Sequence, residues 1–224
     1  MSKKIVAVIP VREGSKRVKD KNFNIFYENK CLLEIKLNQL KNSSAFDNIY
    51  VSSDSDKAKE IASQQNVEFL HRDSMYCNDG PANHEIIDHI VKTIPGSPIV
   101  AFVLVTNPFF KRFDEAVKCY LNNKHNDSLV TVYSKKEFLL NKNGKPINYN
   151  FGPWHPFSQD LEPFYQITGG MFLAHKSTMQ YLHYYIGLSP YLFETKLIES
   201  IDIDDKDQFT YAKMLAENIK GGIL

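Results

Sequence analysis

Five cations fall within ten residues near the start of the chain: Arg12, Lys16, Arg17, Lys19 and Lys21, against only Glu13 and Asp20. Gly14 lies among them. A glycine can take a positive φ there and let backbone N–H groups converge on an anion. The loop follows the apolar, β-branched run Ile5 to Ile9, which reads as a buried parallel strand ending at Pro10. A strand leading into a glycine-bearing cationic loop is a natural seat for a polyphosphate. The same residues also suit a solvated basic turn, the commoner fate of a charge run. The loop is neither G-x-x-x-x-G-K-[ST] nor G-x-G-x-x-G, since Gly14 is its only glycine.

A second set lies at the other end of the chain, in Ser200-Ile201-Asp202-Ile203-Asp204-Asp205. Read as a strand, the alternation puts Asp202 and Asp204 on one side. Two adjacent carboxylates suit Mg²⁺, a hard cation that takes oxygen ligands. Alternatively, Asp204 and Asp205 cap a closing helix through Phe209, Ala212 and Leu215, but Asp202 is too early to cap.

Arg12-Glu13-Gly14-Ser15-Lys16 followed by Lys21-Asn22 resembles the R-x-x-S-K-x-x-x-x-K-N signature of the acylneuraminate cytidylyltransferases. That family includes the CMP-sialic acid synthetases and relatives acting on other nonulosonic acids. The resemblance extends over nearly the whole chain. It implies a CTP-dependent nucleotidyltransferase that couples CTP to an acidic sugar, releases pyrophosphate and uses Mg²⁺. It implies that Arg12, Lys16 and Lys21 are catalytic and hold the triphosphate. Gly14, Ser15, Asn22, Arg72, Pro81 and Asn83 join them around the nucleotide, with Asp202 and Asp204 on the metal. It also offers Asp54 as a residue near the metal and phosphates, although Asp54 or Ser55 can equally cap the next helix.

On the acceptor side the resemblance implies roles for Thr106, Gln166 and Gly169, and here the sequence departs from the family. Leu104 stands where sialic acid enzymes have a glutamine, and Phe110 where arginine is usual, with Lys111 and Arg112 next to it. Gln166 is near the position of another expected arginine. Asp73 replaces the proline that normally follows Arg72. These changes point away from N-acetylneuraminic acid and leave the cytidylyltransferase reading intact. Two rivals stand beside it: a transferase of the same fold that consumes a nucleotide-sugar, and a regulator that binds CTP without turnover.

Composition limits the alternatives. A net charge of +1 over 224 residues gives no general attraction to nucleic acid or an anionic membrane. No run approaches the roughly 18 apolar residues of a membrane span, and the start of the chain lacks the apolar core of a signal peptide; cytoplasm is the expected location. Cys31, Cys77 and Cys119 form no C-x-x-C and are read as packed or free thiols. His84 and His89 are five residues apart, one too many to share a zinc-binding helix face.

The elements that must position these residues follow a β-α-β-α-β rhythm from Ile5 to Leu70. This is the pattern of a doubly wound sheet, whose ligands bind at the carboxyl ends of its strands. Ile99 to Thr106 reads as the central strand, with helices over 83–94 and 114–122. The expected fold is a single Rossmann-like α/β nucleotidyltransferase domain over 1–224, with a mostly parallel central sheet. Residues 134–165, with a turn at Asn143-Gly144 and with Tyr149, Phe151, Trp154 and Phe157, are read as a protruding arm. Clustered aromatics mark interfaces, so the arm predicts a homodimer.

Overall fold

The computed structural model describes residues 4–219 and 222–223. The chain opens with β1 (Ile5–Pro10), the short antiparallel pair β2 (Ile25–Tyr27) and β3 (Lys30–Cys31), and α1 (Leu32–Lys41). Next come β4 (Asn48–Ser53), α2 (Asp56–Gln64), β5 (Glu68–His71), α3 (Asn83–Thr93), β6 (Ile99–Phe102) and α4 (Phe113–Asn122). The remainder is β7 (Ser128–Lys135), β8 (Phe164–His175), α5 (Lys176–Leu182), β9 (Pro190–Glu194) and α6 (Lys206–Asn218).

Seven strands form one sheet in the order β5-β4-β1-β6-β8-β7-β9. Only β8 runs against the others, pairing antiparallel with both β6 and β7. This is the mostly parallel Rossmann-like sheet that the sequence predicts. Alternation along the strands divides the core between its two faces. Ile5, Ala7 and Ile9 of β1 join one cluster with Leu32, Leu33, Leu37 and Leu40 of α1. Val6 and Val8 join the other with Ile87, Ile90 and Val91 of α3. Those four leucines of α1 have no solvent exposure, and burial of each contributes about 1.5–3 kcal/mol.

Two sequence expectations need correction. The central strand stops at Phe102 instead of Thr106. Val103 N–H still reaches Val8 O at 3.0 Å, but Asn107 N–H then turns back to Leu104 O at 3.4 Å. Pro108 has no N–H to continue a ladder, so Leu104–Thr106 becomes a lip at the strand's carboxyl end. The second correction is at Asp202 and Asp204. Residues 201–204 belong to no strand. They are tied to the lip by Ile203 N–H donating to Thr106 O at 2.8 Å. The Thr168-Gly169-Gly170 segment lies inside β8, a 12-residue strand.

Caps set the helix starts. Ser55 caps α2, accepting from Ala58 N–H, so Asp54 is not the cap. Asp205 caps α6 by accepting from Gln208 N–H at 2.8 Å. Between β7 and β8, the segment 136–163 contains a turn at Asn143-Gly144, closed by Asn141 N–H on Lys145 O at 2.8 Å. Phe138 meets Tyr149 and His155 with ring centres 5.0 and 4.5 Å apart. Trp154 and Phe157 stay 77% and 73% exposed.

Candidate active site

The cationic loop leaves β1 at its carboxyl end and forms one wall of a cleft of about 740 Å³. Arg12, Ser15, Lys16, Lys21 and Asn22 all line it. Gly14, at φ +73°, allows the turn between them but does not face the cleft. Asn22 is buried and donates to Arg12 O at 3.2 Å, which braces the loop against itself. Its Oδ1 is buried without a partner.

The second wall comes from the loop after β5. Arg72 is buried there, with Nη2 donating to Val11 O and Nε lying 2.9 Å from Cys77 Sγ. It therefore fastens this loop to the end of β1. Pro81 and Asn83 also line the cleft, Asn83 from the first position of α3. Asp79, quoted in no sequence motif for its charge, reaches across to Arg12 at 2.5 Å and Lys16 at 2.8 Å.

The acidic segment closes the third side. Lys21 Nζ donates to Ile203 O, so the cationic loop meets the segment between its two aspartates. Burial pulls the Lys21 ammonium below its ordinary value, while Asp204 and then Asp202 hold it up. Asp204 lines the cleft and pairs with Arg17 at 3.1 Å. Asp202 is set deeper. Burial, with Asp204 adding to it, raises its carboxyl above the usual range, and a hydrogen bond with Thr106 works against that rise. Asp202 Oδ1 is buried and unpartnered, and a buried carboxylate oxygen without a donor calls for a cation. Among the described residues no cluster of three or more metal-ligating side chains occurs. The pair fits a Mg²⁺ that takes its remaining oxygens from substrate and water.

The far end of the cleft is apolar. Ile86 and Ile90 of α3 face Phe102, Leu104, Phe172 and Tyr185. The Phe172 and Tyr185 rings lie 4.2 Å apart, centre to centre. Thr106 lies at the boundary between this end and the carboxylates. Neither Phe172 nor Tyr185 has a site role assigned from the sequence; Phe172 reaches the cleft because β8 pairs with β6, and Tyr185 follows α5.

The remaining expected acceptor residues are placed differently. Gly169 has φ +68°, and a Cβ there would sit 3.2 Å from both Asp202 Oδ2 and Leu104 Cδ1. It makes room for Asp202 without lining the cleft. Gln166 is exposed on β8 opposite Tyr133 and is not part of the cleft wall of this chain. Phe110 is fully buried in an aromatic group with Phe113 and Phe193. Neither Lys111 nor Arg112 replaces the missing arginine. Lys111 reaches Gly222 O, and Arg112 is committed to Glu115 at 2.6 Å and Glu199 at 3.2 Å. Asp54 is exposed and does not line the cleft.

The sequence model of the cytidylyltransferase family matches residues 6–220, which include the cationic loop and both aspartates. The chain belongs to the cytidylyltransferase family. An N-acylneuraminate cytidylyltransferase of Streptococcus agalactiae serotype V is 24% identical, the match covering 93% of this chain and 52% of the relative. The enzyme of that name from Escherichia coli O18:K1:H7 is 26% identical, with 95% and 52% covered. This chain thus spans about half the length of those curated relatives. A CMP-N,N'-diacetyllegionaminic acid synthase of Legionella pneumophila is 26% identical, covering 96% of this chain and 97% of the relative.

Solved structures agree on the fold of this chain. A CMP:2-keto-3-deoxy-manno-octonic acid synthetase complexed with CTP superposes with a TM-score of 0.69 at 10% identity, over 96% of this chain and all of that one. A 4-diphosphocytidyl-2C-methyl-D-erythritol synthase from Anaerococcus prevotii gives 0.70 at 14% identity, covering 96% and 97%. No helix of the described residues is long and apolar enough to cross a membrane.

Proposed function

We propose that this chain transfers a cytidylyl group from CTP to an acidic sugar of the nonulosonic type, giving a CMP-sugar and pyrophosphate. One observation carries the reading: three cations, Arg12, Lys16 and Lys21, line one cleft with Asp204 from the other end of the chain, and Asp202 lies behind it, close enough to act on both Lys21 and Asp204. At about 740 Å³ the cleft has room for a nucleotide and an acceptor together.

In this reading the acceptor hydroxyl oxygen bonds to the α-phosphorus as the bond to the pyrophosphate oxygen breaks. Catalysis of this kind is chiefly positioning and charge neutralisation. Arg12 and Lys16 take the β- and γ-phosphates. Lys21, fixed on Ile203 O, faces the charge that grows on the leaving group. Asn83, Pro81 and the Arg72-braced loop hold the nucleoside side. Asp202 and Asp204 would hold Mg²⁺, which when bound withdraws charge from the α-phosphate and lowers the pKa of the attacking hydroxyl.

The acceptor then occupies the end lined by Leu104, Phe102, Phe172 and Tyr185. Leu104 offers no hydrogen bond where a glutamine would. The reading is therefore an acid sugar with fewer hydroxyl groups on that side than N-acetylneuraminic acid, and the legionaminic acid relative supports it. The exposed aromatics of 136–163 support a homodimer built through that segment. The test is pyrophosphate release with CTP and Mg²⁺ across a panel of nonulosonic and other ulosonic acids. Release with a deoxy acid ahead of N-acetylneuraminic acid is expected. Binding of CTP without release for any acid would favour the regulator, and N-acetylneuraminic acid as best substrate would refute the acceptor assignment.

A further inference from the structure

Arg12 and Lys16 are both paired with one carboxylate of this same chain. Arg12 Nη2 lies 2.5 Å from Asp79 Oδ1, and Lys16 Nζ lies 2.8 Å from Asp79 Oδ2. One oxygen goes to each cation, which is how a phosphate group would divide its oxygens between them, and the distances are those of charge-assisted bonds. Arg12 Nη1 also reaches Cys77 O at 3.5 Å, so the guanidinium lies against the Asp79 loop.

The backbone beneath Asp79 is held firmly. Cys77 N–H donates to Ser74 O at 3.0 Å, Asn78 Nδ2 to Ser74 O at 3.1 Å, and Gly80 N–H to Asn78 Oδ1 at 2.7 Å. Buried Arg72 binds the loop to Val11 and Cys77. The Asp79 side chain, by contrast, is 52% exposed and its partners are 38% and 81% exposed. Solvent screens such pairs, and a ligand carrying several negative charges outcompetes them. Rotation of one side chain on a fixed backbone is enough to free both cations.

We infer that Asp79 is an internal competitor for the phosphate-binding cations: it swings away when the β- and γ-phosphates of CTP bind and returns to Arg12 and Lys16 as pyrophosphate leaves. It touches no reacting atom, and it acts by setting the affinity of the cations for polyphosphate. Lys16 and then Arg12 hold its carboxyl down at about 2, so it remains an anion at any pH near neutrality. The inference rests on the reading that Arg12 and Lys16 receive the triphosphate.

Calorimetric titration of the wild-type chain, Asp79→Asn and Asp79→Ala with inorganic pyrophosphate and with CTP tests it, with melting curves to confirm folding. Both variants are expected to bind each ligand about 3- to 10-fold more tightly, as removal of exposed ion pairs implies. Their binding should also weaken more steeply with added salt, because a net positive cradle is then exposed to the ligand. A merely structural Asp79 would not change the salt slope. Binding equal to or weaker than wild type in both variants overturns this inference alone. Absence of pyrophosphate and CTP binding in all three proteins overturns the phosphate assignment of Arg12 and Lys16, and the inference with it.

Discussion

Lys21, the one buried cation of the N-terminal loop, donates through Nζ to the backbone carbonyl of Ile203, between the two aspartates of the C-terminal segment. The contact joins residues 182 positions apart. It fixes the distance between the cations that would receive a pyrophosphate and the carboxylates that would receive a metal.

Substitution of Lys21 and of Asp202 should therefore fail in different ways. Lys21→Ala is expected to lower kcat by about 10²-fold or more, the loss seen when a preorganised charge stabiliser is removed. Asp202→Asn keeps the side-chain shape and removes one negative ligand, so excess Mg²⁺ should restore part of its activity. It should not destabilise the fold, because it relieves repulsion from Asp204 and the cost of a buried charge. A Mg²⁺ titration of turnover, with a melting curve, checks both. Wild-type rates and Mg²⁺ dependence in both variants would remove these residues from the site.

Gly169→Ala tests the placement of Asp202. A side chain there is strained by φ +68° and meets Asp202 Oδ2 at 3.2 Å. The expected result is a protein that still folds, is destabilised by about 1–2 kcal/mol, and needs more Mg²⁺ for half-maximal rate. An unchanged Mg²⁺ requirement would show that the aspartate does not depend on the space the glycine leaves.

Lys36 gives the clearest pH prediction. It is fully buried in α1, donates to Phe110 O at 3.1 Å and lies 5.4 Å from the Phe113 ring centre. No carboxylate accompanies it in those contacts. Burial, with Lys111 adding to it, lowers its pKa to about 7 from the 10.5 of an exposed lysine. Between about 7 and 10.5 the unfolded chain binds the proton and the folded chain does not. Stability from this group therefore rises with pH across that window and is lowest below it. Lys36→Met removes the cost of burying a charge. Its melting temperature should exceed that of wild type at pH 6.5, by an amount on the order of a few kcal/mol of stability, with the gap closing towards pH 9. A gap that is constant with pH would mean that Lys36 does not titrate in this window.

The exposed Trp154 and Phe157 predict self-association through the β7–β8 excursion. Sedimentation at micromolar concentration should show a dimer for the wild-type chain and a monomer for the double substitution Trp154→Ser, Phe157→Ser. A fully active wild-type monomer would end the proposal.

Local chemistry made much of this legible in advance. The apolar run before Pro10, the glycine-bearing cationic loop, the capping pattern at Ser55 and Asp205, and the central run from Ile99 depend on nearest neighbours along the chain, where propensity and hydrogen-bonding rules act. The limits of such reading are equally specific. The run from Ile99 reads as a strand four residues longer than β6, since Val103 to Val105 are as apolar as the strand itself and only the Asn107 turn ends it. The S-I-D-I-D segment has strand alternation, but its N–H at Ile203 is taken by Thr106 O from a loop, so no ladder forms.

The sequence by itself determined the parts of the site: its cations, its paired carboxylates and the strand ends that carry them. Tertiary structure decided their partners. Asp79 is one aspartate among many until the Arg72 brace brings its loop over Arg12 and Lys16. Arg112 looks available beside Phe110 until Glu199, 87 residues away, engages it. Phe172 becomes a cleft wall only because β8 pairs against Phe102 of β6. The physical reason is common to all three. Charge pairing and desolvation depend on distances through space, and those distances are set only when the sheet has assembled.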